Sequence, residues 1–368
     1  MTSADGVQPP IFLALKSLSR RLLRRFRKAW SGTWNGTVSR DDVGRVCREL
    51  LHHEPASPDL GAGQSALEFT LSVALGPERA ALEEQRVRQA LMATTPVWAS
   101  QADIGWVLTY TRDDVIGGCI RSRGTFEEAE VGEVMKLIAD LGAPAPAGLF
   151  VDIGANIGTH ALYALRNGFQ RALCVEADPD NFRLLRANQV LNDLDARCVN
   201  VMAAVSDTPG VATMEISPSN FGDRRVRPDA SARSGVHGEE NWSTIEVPVR
   251  RLDSIFAENR IDFRDVGLVW VDTQGHDAHV LKGAPQLLAA GAPVVIEFWP
   301  YGLDRSGGYA LLKDLIRETR RRVFDVKQSV RAGRAIAVET AEQLDDLFRS
   351  LRLNEGKDGW PHTDLLLL

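Results

Sequence analysis

Residues 151–160 read VDIGANIGTH, an apolar run that meets Asp152 and opens into a turn carrying Gly154 and Gly158. Glycine lets the backbone make a turn that a Cβ would block and lets a ligand come up against the main chain. The spacing, Asp-x-Gly-x-x-x-Gly, is not the GxGxxG of dinucleotide-binding turns. It also lacks the Lys-Ser/Thr of a P-loop, so nothing grips a triphosphate or its Mg²⁺. Asp152 would repel a pyrophosphate at the helix start and suits a cationic ligand instead. The next apolar run, LCVEADPDNF, ends on Glu176. At that place in an open α/β sheet a carboxylate accepts the hydroxyl protons of a ribose. An acid for an amino group and an acid for a ribose together describe S-adenosylmethionine rather than a nicotinamide cofactor.

Methyl transfer from a sulfonium is an in-line displacement, so the protein mainly supplies alignment, and a hydroxyl acceptor also needs a base. Candidates stand at the ends of two later apolar runs. VDTQGHD carries Asp272, His276 and Asp277, and VVIEFW carries Glu297, with Trp299 as its last residue. His276 is the natural base by its ordinary pKa, or simply a turn residue after Gly275. Asp272 could orient it, contact the acceptor or touch the cofactor's methionyl end. Asp277 and Trp299 are candidates for acceptor contact, with Trp242, Trp270 and Tyr301 adding aromatic surface. Arg224, Arg225 and Arg227 would suit an anionic acceptor or form a solvated charge cluster. The group Asp272, His276, Asp277 and Glu297 could also hold a divalent metal through hard oxygens, although no dedicated ligand spacing is visible.

These groups need a scaffold. The runs LFVDIG, ALCVEA, CVNVMAAVS, IEVPVRRL, GLVWVDT, PVVIEFW, RRVFDVK and DLLLL alternate with helical stretches such as PDNFRLLRANQVLN and DAHVLKGAPQLLAAG. Continuous apolar runs suit strands buried on both faces, and strand–helix alternation predicts a doubly wound α/β sheet. Residues 217–243 are polar and rich in Gly, Ser and Arg, the composition of a lid, a binding loop or a disordered segment. The first 100 residues read as a helical region, with 101–368 as the α/β domain. Ile11, Leu15, Leu18, Leu22 and Phe26 recur at helical spacing among arginines and lysines. Such a basic amphipathic helix over 11–30 could pack on its own protein, dock on a partner or lie on an anionic membrane. The net charge of −6 argues against a general nucleic-acid binder. Four scattered cysteines offer neither a zinc site nor a disulfide framework, and no apolar run is long enough to span a bilayer. A cytoplasmic protein is the expectation, at most peripheral to the inner face of the membrane.

The ordered series VDIGANIGTHAL, CVEADPDNFRLLRANQVLN, NVMAAVSD, VDTQGHDAHVLKGA and VVIEF resembles the FkbM family of S-adenosylmethionine-dependent methyltransferases. RGTFEEAEV is similar to the segment before that family's first strand, and HTDLLLL resembles its closing strand. The resemblance implies a Rossmann-like, mostly parallel sheet with one antiparallel strand near the C-terminus. By position it puts Asp152, Gly154, Asn156, Gly158 and Thr159 at the cofactor turn, Glu176 on the ribose and Ala204 to Asp207 beside the adenine, with Glu127 near the cofactor. Gln274 and Asp277 stand where the family mostly carries Glu, which leaves the cofactor site intact and the catalytic assignment open. The expected activity is O-methylation of a small-molecule or glycan hydroxyl. Nitrogen, carboxylate or protein acceptors remain alternatives, as does a non-catalytic scaffold that keeps the fold.

Overall fold

The computed structural model describes residues 97–127, 129–144, 146–227, 235, 237–353 and 361–368. The helices expected in the first 100 residues, including the amphipathic stretch 11–30, lie outside the described residues, apart from 97–100. Those four belong to strand β1 (Val97–Ala102), which pairs antiparallel with β2 (Gly105–Tyr110). The strands that follow are β3 (Gly148–Ile153), β4 (Phe169–Glu176), β5 (Cys198–Met202), β6 (Ala204–Val205), β7 (Gly210–Ile216), β8 (Arg224–Val226), β9 (Ser243–Arg250), β10 (Val266–Val271), β11 (Val294–Phe298), β12 (Val323–Asp325) and β13 (Thr363–Leu367). The helices used below are α1 (Ile116–Arg123), α2 (Ala129–Asp140), α3 (Thr159–Arg166), α4 (Pro179–Leu191), α5 (Leu252–Glu258), α6 (Asp277–Lys282), α7 (Pro285–Ala290) and α8 (Pro300–Ser306).

Among the described residues the central sheet runs β12-β13-β11-β10-β3-β4-β5, parallel except for β13, which is antiparallel to both neighbours. This is the expected fold class. The inner strands are buried along almost their whole length, β11 entirely, because helices cover both faces. From β3 the chain moves outward through β4 and β5, then returns to place β10 and β11 on the other side of β3. The order therefore reverses between β3 and β10, and in such sheets ligands bind at the strand ends beside that reversal.

IEVPVRRL and the end of CVNVMAAVS do not join this sheet. They form β9 and β6 of a four-stranded accessory sheet, β6-β9-β7-β8. The physical reason is visible in β9, where buried Val247 and Val249 alternate with exposed neighbours, the signature of a sheet packed on one face only. DAHVLKGAPQLLAAG, read as one helix, is two, because Pro285 starts α7 and cannot continue α6. Of the polar stretch 217–243, residues 217–227 form a strap that includes β8, while 228–234 and 236 lie outside the described residues. No helix among the described residues is long and apolar enough to cross a membrane.

Candidate functional site

β3 ends at Ile153, and the turn through Gly158 leads into α3. The glycines of this turn answer to the protein's own packing. A Cβ on Gly154 would lie 1.8 Å from the Asp272 carbonyl oxygen, and one on Gly158 would lie 2.7 Å from Leu185 Cδ1. The close approach is therefore between the tips of β3 and β10. Asn156 on one tip (φ 49) and Gln274 on the other (φ 54) hold left-handed backbone without being glycine, a conformation that concentrates at functional sites.

Glu176, at the end of β4, is buried, and its two oxygens accept the N–H groups of Asn156 (2.8 Å) and Asp178 (2.7 Å). Each oxygen keeps a further lone pair. Burial pushes the Glu176 carboxyl up to about 7. It opens on a cavity of about 510 Å³ whose apolar walls include Ala203, Ala204, Val205, Met214 and Val226.

A second cavity, of about 1070 Å³, carries the carboxyls of Glu127, Glu130, Asp272, Glu297 and Asp364 and the aromatic rings of Phe126, His160, Trp270 and Trp299. Gly154, Asn156, Gly222, Asp272 and Gln274 line both cavities, so the two meet at the tips of β3 and β10. Glu297 faces Asp364 in the register of β11 with β13. Burial, then the charge of Asp272, holds Glu297 well above the carboxylate range. Burial and then Asp364 raise Glu130 to about 8. Gln274 Nε2 donates to Asp272 Oδ1 at 2.9 Å and to Glu297 Oε2 at 3.4 Å, bridging the two acids. One cavity thus offers a carboxylate at a strand tip between apolar walls. The other offers hydroxyl-binding acids and stacking faces, and Asp272 stands at the junction.

The sequence over residues 152–325 matches the model of the methyltransferase FkbM domain. The chain carries an FkbM methyltransferase domain. Among curated proteins, none matches the sequence. Among solved structures, it is similar to a methyltransferase FkbM from Methylobacillus flagellatus (15% identity, TM-score 0.35), over 60% of this chain and 44% of that one. The likeness thus spans less than half of that protein. An O-methyltransferase from Bacillus cereus in complex with SAH matches over 82% of this chain and 97% of its own (12% identity, TM-score 0.31). An RNA methyltransferase from Salinibacter ruber in complex with S-adenosyl-L-homocysteine matches over 46% and 73% (12% identity, TM-score 0.24).

The expected residues divide between the two cavities. Gly154, Asn156, Glu176 and Ala204 line the smaller cavity, while Thr159, Glu127, Glu297 and Trp299 line the larger. Asp152 lines neither. It is 1% exposed, burial followed by Asp272 and Glu176 raises it to about 8, and its Oδ2 has no hydrogen-bond partner among the described residues. Asp272, by contrast, lines both cavities. Asp277 is also corrected: it is fully buried, and its carboxylate accepts the N–H groups of Thr273 and Gly275. It shapes the turn and cannot reach an acceptor. His276 lines the smaller cavity rather than the acid-lined one. Its Nε2 sits 3.0 Å from Ser206 Oγ and its ring stacks on His279, and burial with that neighbour lowers it to about 4. Asp207 lines neither cavity, since Lys282 (2.8 Å) and His279 hold its carboxylate.

The three arginines of the strap each meet a carboxylate of the protein itself. Arg224 pairs with Asp178, Arg225 with Asp223 and Glu239, and Arg227 with Glu215. Glu130 and Asp364 were not singled out from sequence, and Gln274 only as a departure from the family's pattern. A signal existed for Asp364, an acid opening an otherwise apolar closing strand, and for Gln274, an amide where a carboxyl is usual. Among the described residues no group of three or more side chains is arranged to hold a metal ion.

Proposed function

We propose that this domain transfers a methyl group from S-adenosylmethionine to a hydroxyl of a sugar or glycoconjugate. The observation that carries the reading is the meeting of the two cavities at Asp272. The smaller fits a nucleoside: Glu176 has lone pairs left for ribose hydroxyls, and the apolar walls suit a flat base. Asp272 and Gly154, lining both cavities, would flank the methionyl end. When bound, S-adenosylmethionine supplies an electrophilic methyl group. The larger cavity supports a polyol acceptor, because carboxyls receive hydroxyl protons and aromatic faces stack on the apolar sides of sugar rings.

Asp272 is the group assigned to take the acceptor's proton, in place of His276. Gln274 holds Asp272 Oδ1 and bridges it to Glu297, whose carboxyl burial shifts toward the protonated form. The basic stretch 11–30 would bring the enzyme to a lipid-linked acceptor on a membrane. Liposome flotation of the full chain against one lacking that stretch reads this out.

Calorimetric titration with S-adenosylhomocysteine, followed by mass spectrometry of surface glycans with and without the protein, tests the proposal. A gain of one methyl on a sugar hydroxyl is expected. Binding without any methylated product would favour the scaffold alternative, and a methyl found on nitrogen or carboxylate would overturn the acceptor class.

A further inference from the structure

Arg224 belongs to β8, outside the central sheet, yet it lines the Glu176 cavity. Its side chain is 7% exposed. Nη1 donates to Asp178 Oδ2 at 3.0 Å, and the guanidinium lies over the Phe221 ring, 4.6 Å from its centroid. The Nε–H is buried and makes no hydrogen bond within the described residues, and neither does the Nη2 amine. A guanidinium presents its N–H donors as a rigid fork, and buried donors left unmet are costly. The strap holds this fork in place from the main sheet side. The Phe221 carbonyl accepts from Asn156 Nδ2 (3.1 Å) and Asn181 Nδ2 (2.9 Å), and the Phe221 ring packs on Tyr110.

We propose that Arg224 is a binding residue for the nucleoside half of the cofactor, donating from Nε and Nη2 to a ribose oxygen or a ring nitrogen. The inference rests on the reading of this cavity as a nucleoside site. A neutral acceptor is indicated rather than a phosphate. The guanidinium already faces Asp178 and stands close enough to Glu176 to favour its ionised form, and two carboxylates beside one guanidinium leave no excess positive charge for an anion. Because Arg224 comes from the strap, ligand binding also ties the strap to the cofactor turn.

The test is calorimetry on the full chain with S-adenosylhomocysteine and, separately, adenosine. Arg224→Lys keeps a cation for Asp178, but its single Nζ cannot also serve the ligand. Both ligands are expected to bind about 10-fold more weakly, by the same factor, since the lost contact is to the shared nucleoside. Affinities within about twofold of wild type would overturn the proposal, as would weakening for S-adenosylhomocysteine alone. Should that variant fail to fold, hydrogen exchange on the wild type decides. Amides of residues 217–226 slow their exchange when S-adenosylhomocysteine is added, and unchanged exchange would overturn it. A wild type that binds neither ligand would sink the cofactor reading as well. One that binds both beside an indifferent Arg224→Lys would sink this proposal alone.

Discussion

In the accessory sheet Arg225 lies between Glu239 (2.6 Å) and Asp223, its guanidinium flanked by the rings of Trp242 and Trp299. Tyr301 on α8 donates to Glu239, and Arg305 makes two hydrogen bonds to Glu215. In the larger cavity, by contrast, Glu130 and Asp364 share one lysine among the described residues, Lys327, whose Nζ is 3.8 Å from Glu130 and 3.7 Å from Asp364. Burial acts on both regions, with opposite outcomes. Burial alone would raise Glu239, but the Tyr301 hydroxyl, backbone N–H groups and Arg225 outweigh it and hold the carboxyl down to about 2. Glu215 is lowered in the same way by Arg305 and Arg227, while at Asp223 burial still wins. In the cavity burial prevails: it raises Glu130 to about 8 and raises Glu297 and Asp364 too, although Lys327 opposes it at Glu130 and Asp364. A network closed on itself serves stability. Buried carboxyls that outnumber their cation suit a ligand's hydroxyls or positive charge.

The contrast predicts that cavity substitutions damage turnover and network substitutions damage folding. Asp272→Asn should lower kcat by about 10²–10⁴-fold while leaving the thermal midpoint unchanged or raised, because it removes charge from a crowded group. Steady-state rates beside a melting curve check this, and a normal kcat would break the assignment of Asp272 as base. Arg225→Met leaves Glu239 and Asp223 buried without their cation and should cost about 3–5 kcal/mol of stability in urea unfolding. A loss under about 1 kcal/mol would show the network to be no more than a surface ion pair. Glu176→Ala should weaken S-adenosylhomocysteine about 10–100-fold by calorimetry, the scale of a charged hydrogen-bonding group removed. Unaltered affinity would move the ribose elsewhere.

The smallest expected effect lies in the pH dependence of stability. Asp152 and Glu130, raised to about 8, and Glu176, raised to about 7, hold protons that the unfolded chain has already released. Between the ordinary carboxylate range and about pH 8 the folded state binds more protons, so stability of the ligand-free protein falls as pH rises through that window. Glu239, held down to about 2, acts in the other direction. Its contribution is present above the ordinary Glu range and is lost as pH falls toward about 2. Urea midpoints measured across both windows should show the two slopes. Glu239→Gln should flatten only the acidic one, and Glu130→Gln only the other.

The places of Gly154, Glu176 and Glu297 were legible because each depends on local order, an acid or a glycine at the end of an apolar run. His276 could be read as a base or as a turn residue, because local order does not tell that the turn after Gly275 delivers the ring to Ser206 and His279. The arginines of the strap were opaque for a related reason: whether Arg225 meets solvent or Glu239 depends on how β8 and the turn before β9 fold onto α8.

What the chain's order of residues determined alone was the alternation of buried strands and helices and the acids at the strand tips. Those follow from periodicity and turn chemistry, which act over a few residues. Only the tertiary structure decided which acids face a cavity, which face an arginine and which, like Asp152 and Asp277, face inward. Charge and burial at a site are summed over segments far apart in the chain, and no local pattern carries that sum.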